Sequence, residues 1–248
     1  MHSVGTFCFA ELRTPEPERS ARFYRALLNW TDREVCAGYW IFELDGRAVA
    51  GMRRSAEHRW VGYVHVADVD QIVTKAVELG ATVPEIAVDT PGVARTCLLA
   101  DPEGAVFGLW SPRGVEGTAV ETGPGSFWWM ELATRNMTPA ESFYAALFGW
   151  GLVHTMKFEN GPLGYTLFKV DDRSTGGAFQ FEPDWGLTPT WQVYFEVGNY
   201  DAAVARACEL GGEEGFSREV PQVARIGVIG DSGHATFLIA DPVKPVSA

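Results

Sequence analysis

Between residues 6 and 13 apolar side chains alternate in a short run, prolines follow, and Ala21, Tyr24, Leu27 and Leu28 then recur at helical spacing. This pattern predicts a strand, a turn and a helix. Two further strands are expected in "GYWIFELDG" (38–46) and "RAVAGMRR" (47–54), with Asp45-Gly46 as a hairpin signal between them. The order then begins again, with a strand over 60–67, a helix over 69–79 closed by Gly80, and strands near 94–100 and 105–110.

The same succession returns in the second half. "FCFAELRTPEPERSARFYRALLNW" (7–30) aligns without gaps on "FWWMELATRNMTPAESFYAALFGW" (127–150), keeping Phe7/Phe127, Glu11/Glu131, Tyr24/Tyr144 and Trp30/Trp150 among its identities. A second block, "WVGYVHVADVDQIVTKAVELG" (60–80), lies on "WQVYFEVGNYDAAVARACELG" (191–211). Two collinear blocks indicate duplicated domains. The expected organisation is one domain over 1–112, a linker rich in Gly, Thr and Pro over 113–126, and a second domain over 127–248.

Composition narrows the function classes. Among 248 residues, 46% are hydrophobic and 21% charged, as in ordinary globular chains, and the formal charge is −12. That acidity argues against nonspecific nucleic-acid binding, which needs a basic face to neutralise phosphates. No apolar run reaches the roughly 18–20 residues that span a bilayer. No basic leader precedes an apolar segment near the start, so a cytoplasmic protein is expected. Cys8, Cys36, Cys97 and Cys208 are scattered without metal or redox spacing. Cys8 and Cys208 are expected to act as small buried hydrophobes.

With the repeat in view, "ERSARFYRALLNW", "VHVADVDQIVTKAVELGA" and "DPEGAVFGLW" resemble the vicinal oxygen chelate superfamily, which includes glyoxalase I, extradiol dioxygenases and bleomycin-binding proteins. The resemblance implies an α+β chain of two tandem glyoxalase-like domains, each of two βαβββ units forming a cup-shaped sheet. In metal-dependent members, His, Gln or Glu ligands occupy the first strand, the strand opening the second unit, and the last strand of each domain. Carried onto this sequence, those places hold Phe9, Trp60 and Gly108 in the first half, and Trp129, Trp191 and Leu238 in the second. None offers a donor side chain, so neither a metal nor another cofactor is expected. The five histidines do not supply the missing ligands; each is expected to be solvated or locally hydrogen-bonded.

Strand parity then places Phe7, Phe9, Glu11 and Arg13 on one cup face, and Phe127, Trp129 and Glu131 on the other. Phe9, Tyr39, Trp60, Trp110, Trp129, Tyr165 and Trp191 are the candidate ligand-binding residues: stacking surface for a flat, partly apolar and perhaps cationic small molecule. The alternative is that these aromatics only fill the core. Glu11 and Glu131 are candidate acid/base residues, or else structural carboxylates bonded to backbone N–H groups or an arginine. The functional expectation is a metal-independent binding or self-resistance protein for a natural product or metabolite. A metal-free isomerase, cyclase or lyase of secondary metabolism is the second reading, and a metal-dependent glyoxalase or dioxygenase the third. No nucleic-acid or membrane partner is expected, and the chain is expected to act as a monomer or homodimer.

Overall fold

A computed structural model describes residues 2–155 and 164–243. The first module runs β1 (Phe7–Thr14), α1 (Pro17–Leu28), β2 (Thr31–Cys36), β3 (Tyr39–Leu44) and β4 (Arg47–Arg54). The second runs β5 (Arg59–His65), α2 (Val69–Glu78), β6 (Thr82–Thr90), β7 (Ala94–Ala100) and β8 (Val106–Pro112). After a stretch without helix or strand, the third comprises β9 (Phe127–Thr134), α3 (Met137–Phe148), β10 (Gly151–Thr155), β11 (Tyr165–Val170) and β12 (Arg173–Gln180). A short 3-10 turn, Pro183–Trp185, leads to the fourth: β13 (Thr190–Glu196), α4 (Tyr200–Glu209), β14 (Glu213–Val220), β15 (Ala224–Gly230) and β16 (Thr236–Pro242). Every module is βαβββ, so the chain is α+β, as the resemblance implied.

The strands form two eight-stranded sheets with matching orders, β2-β3-β4-β1-β5-β8-β7-β6 and β10-β11-β12-β9-β13-β16-β15-β14. The first strand of each pairs in parallel with the third strand of its own hairpin array, putting Glu11 opposite Gly51 and Glu131 opposite Gly177. Sequence periodicity named only two of the three strands after each helix. The missing β2 and β6 are sheet edges, largely exposed and polar in β2 and carrying Pro84 in β6, so neither shows an apolar alternation. Asp45 and Gly46 both have positive φ, 51° and 71°, between the paired Leu44 and Arg47, which is the backbone a two-residue hairpin requires.

Contacts divide the chain into two compact units that do not follow the two halves of the sequence. The first unit holds residues up to Phe9, Val61–Gly117 and Trp129–Gln192; the second holds Ala10–Trp60, Thr118–Trp128 and Val193 onward. Each therefore combines one βαβββ module of each half. In the first unit, Lys75 of α2 donates from Nζ to the Leu147 carbonyl at the end of α3, 3.0 Å away, satisfying an acceptor that the helix itself leaves open. In the second, Tyr24 of α1 packs among Trp30, Phe42, Trp60 and Phe237, a dense aromatic core with stacked, tilted and edge-on contacts.

Of the cysteines, Cys8 is buried as expected, and burial pushes its thiol far above the usual range. Cys208 is exposed on α4, contrary to expectation, because the helix turns Ala207 inward instead. No helix of the described residues is long and apolar enough to cross a membrane.

Candidate functional site

The repeat makes two faces directly comparable. In the second unit, Glu11 is fully buried on β1 and receives Arg13 Nη1 at 3.1 Å and Arg53 Nε at 3.4 Å, both on Oε1. Arg53 also lies over the Tyr39 ring, its guanidinium carbon 4.8 Å from the centroid, and Tyr39 itself is buried. Arg13 continues the ion network to Glu57 at 3.3 Å, and Glu57 pairs with Arg59 at 3.1 Å. Glu11 is thus the buried link in a chain of alternating charges that reaches the exposed Glu57. Such a carboxylate is held by its guanidinium neighbours, and removing it leaves them uncompensated.

The matching register in the first unit reads differently. Glu131 occupies the place of Glu11, but Ala133 stands for Arg13 and Phe179 for Arg53. Ala133, Phe179 and Phe181 form a buried apolar cluster, with Tyr165 packed against it. Trp129, two residues before Glu131 on the same side of β9, donates from Nε1 to the Tyr165 hydroxyl at 3.0 Å. The Tyr165 ring lies across Gly177, the residue opposite Glu131: a Cβ at 177 would come within 2.1 Å of the phenol oxygen. Glycine is required there so that the phenol can reach the glutamate's row. Trp129 and Tyr165 are half-buried, and Trp185, 6.4 Å from Phe179, is 47% exposed. Among the described residues this face is aromatic and partly open, with the buried Glu131 in its row.

The other expected ligand-lining residues lie elsewhere. Phe9 and Trp110 are fully buried and pack on each other at 4.7 Å. Trp60 and Trp191 are also buried, and each donates from Nε1 to a tyrosine on a helix: Trp60 to Tyr24 at 2.8 Å, Trp191 to Tyr144 at 2.7 Å. The expectation that these two tryptophans face a cup gives way to a helix-side role. Strand parity groups residues two apart on one side of the sheet but does not say which side meets the helix.

Each tryptophan–tyrosine pair ends on a buried aspartate that the sequence reading passed over. In the second unit, Tyr24 donates to Asp231 Oδ2 at 2.9 Å, while Oδ1 accepts from the Gly233 and Ala235 amides. In the first, Tyr144 donates to Asp101 Oδ2 at 3.0 Å, and Oδ1 accepts from the Glu103 and Ala105 amides. Burial and the adjacent aspartate push both phenols well above their usual range. Burial also raises Asp101, against the pull of its hydrogen bonds from the Ala105 amide, Tyr144 and the Glu103 amide. His58, expected to bond locally, reaches Asp231 Oδ2 at 3.1 Å. Its ring fits only because residue 233 is glycine, where a Cβ would meet it at 1.9 Å; the corresponding pair in the first unit is Pro189 and Glu103. The repeated Tyr24/Tyr144 identity and the aspartates opening "DPEG" and "DSGH" were the sequence signal for these relays.

Metal-dependent members of the superfamily need about three converging N or O donors. Among the described residues no group of three or more His, Cys, Asp and Glu side chains is placed to hold an ion. His58 pairs with Asp231, but both Asp231 oxygens already accept hydrogen bonds from the protein. The donor set does not fit such a metal.

Paired βαβββ modules in each sheet define the vicinal oxygen chelate class, and a solved structure shares that fold. The Mn(II)-bound glyoxalase from Novosphingobium aromaticivorans superposes with a TM-score of 0.66 at 14% identity, over 98% of this chain and 85% of that one. A family model described as "Glyoxalase-like domain" matches residues 7–110. The "Putative glyoxylase CFP32" of Mycobacterium bovis is 31% identical over 96% of this chain and 95% of its own length. The "Anthracycline biosynthesis protein DauV" of Streptomyces sp. (strain C5) is 31% identical over 84% of this chain and 82% of its own. The chain belongs to the glyoxalase-like family.

Proposed function

We propose that this protein holds a flat aromatic or partly apolar small molecule, a natural product or related metabolite, against the face built by Trp129, Tyr165, Phe179 and Trp185, without a metal. The observation that carries the reading is the half-buried Trp129–Tyr165 pair beside Glu131, where the equivalent Phe9, Tyr39 and Glu11 are sealed. An accessible aromatic surface with few orienting polar groups is what stacking a planar ligand needs. The likeness to an anthracycline biosynthesis protein agrees with a planar ligand and a place in secondary metabolism. A second reading, metal-free isomerase, cyclase or lyase chemistry with Glu131 as acid/base, is favoured by the Tyr165 phenol that Trp129 holds over the same row.

The test is titration of the purified protein with quinizarin, a neutral planar hydroxyquinone, followed by tryptophan fluorescence, with elemental analysis of the same preparation. Saturable binding that Trp129→Ala weakens about tenfold and a chelator leaves unchanged supports the reading. Binding that depends on stoichiometric bound Fe, Mn, Ni or Zn overturns it.

A further inference from the structure

The connection from each hairpin array to the next module begins the same way in both units. The Ser55 amide donates to the Thr14 carbonyl at 2.9 Å, and the Phe181 amide to the Thr134 carbonyl at 3.1 Å. The two connections then diverge. In the second unit residues 55–58 suffice to reach β5, and Glu57 turns back onto Arg13 at 3.3 Å, closing that end of the glutamate row with an ion pair. The first unit uses residues 181–189, whose 3-10 turn brings Trp185 back onto Phe179, with ring centroids 6.4 Å apart and planes tilted by 40°. Phe179 lies in register with Ala133, the counterpart of Arg13, so in each unit this connection supplies the end of the row.

The longer connection is anchored at both ends and exposed between them. Phe181 is buried in the apolar cluster, and Trp191 is buried and bonded to Tyr144. Residues 183–188 are all exposed, Trp185 at 47% and Leu187 at 39%. Gly186 joins those two with a φ of 67° and open space where a Cβ would stand, while Pro183 and Pro189 fix φ at either end. Large apolar side chains held in water on a short tether gain by covering an apolar surface placed beside them. Resting on the reading that a planar ligand lies on this face, we propose that residues 182–188 form a strap that closes over it. Trp185 turns from the edge of Phe179 onto the side of the ligand that faces solvent, with Leu187 beside it. The site gains this second aromatic wall only when occupied, so the strap governs how long the ligand stays more than how fast it arrives.

Quinizarin is again the probe, mixed with the protein in a stopped-flow fluorimeter. Trp185→Ala should speed its dissociation about tenfold and leave association within about twofold. Trp185→Phe, which keeps an aromatic ring, should restore most of the slow dissociation. Hydrogen exchange, read by mass spectrometry at labelling times below a second, should slow at least about threefold across residues 182–188 at saturation. Exchange in β14, in the other unit, should not change. Dissociation from Trp185→Ala at the native rate, or strap exchange that quinizarin leaves unaltered, overturns the proposal, and saturable binding that Trp129→Ala weakens then leaves the site standing. Absence of saturable quinizarin binding to the native protein overturns the site and the strap with it.

Discussion

Glu11 and Glu131 share a strand position, a glycine opposite and a tyrosine two strands away, but the register positions of Arg13 and Arg53, which bind Glu11, are taken beside Glu131 by Ala133 and Phe179. The difference between "ELRT" and "ELAT", together with Arg53 against Phe179, gives one face a salt-bridge network and the other a buried apolar cluster edged by the half-buried Trp129 and Tyr165. The lesson is that a repeated residue keeps its position and not its role, since role is set by the neighbours.

The comparison breaks most readily on stability. Glu11→Gln leaves two guanidiniums beside a neutral amide and should cost about 3 kcal/mol in urea unfolding. Glu131→Gln disturbs neither of those guanidiniums, since Ala133 and Phe179 hold their register positions, and serves as the comparison. Next in size is Trp129→Ala, which should weaken quinizarin binding by about 1.4 kcal/mol, tenfold, while Phe9→Leu leaves affinity unchanged and lowers thermal stability.

The helix-side relays sharpen the contrast between the units further. Tyr144→Phe removes the hydroxyl that bonds Asp101 Oδ2 and accepts from Trp191, at a cost of about 1–2 kcal/mol in unfolding free energy. Tyr24→Phe should cost less, because Asp231 Oδ2 keeps His58.

The smallest effect concerns pH. Burial pulls Glu103 upward, but hydrogen bonds from the Thr134 hydroxyl, the Arg135 amide and Asn136 outweigh it and leave the carboxyl below its usual value. A carboxyl lowered by folding stabilises above its unfolded value, about pH 4.3, and that contribution is lost as pH falls through the folded value. Asp101, raised by burial, runs the other way: its contribution is present below about pH 3.9 and lost as pH rises through the folded value. Glu103→Gln should therefore cost a few tenths of a kcal/mol at neutral pH, after solvent screening, and progressively less as pH falls below the unfolded value, read by thermal unfolding across that range.

Much of this fold was legible in the chain. The collinear repeat and the closing Gly80 fixed the order of modules, and Asp45-Gly46 marked its hairpin, because each reflects local backbone or periodic burial. The edge strands were not legible, since exposed strands carry no apolar alternation. The site was legible in part. Strand parity set Trp129 and Glu131 on one side of their strand but left the direction of Tyr165 open; its hydroxyl lies 3.0 Å from Trp129 Nε1, whereas Trp60 and Trp191 turn toward helix tyrosines. Parity says that residues two apart share a side; it cannot say which side holds the helix. The Asp231–Tyr24 bond joins residues 207 positions apart, a distance at which only the repeated tyrosine gave a hint.

The most direct test of the central claim is a structure of the protein bound to quinizarin. The account predicts one ring system per chain, lying against Trp129 and Tyr165, with the Glu11, Arg13 and Arg53 network unchanged. A ligand seated at Glu11 and Arg53, or one on each face, would contradict it.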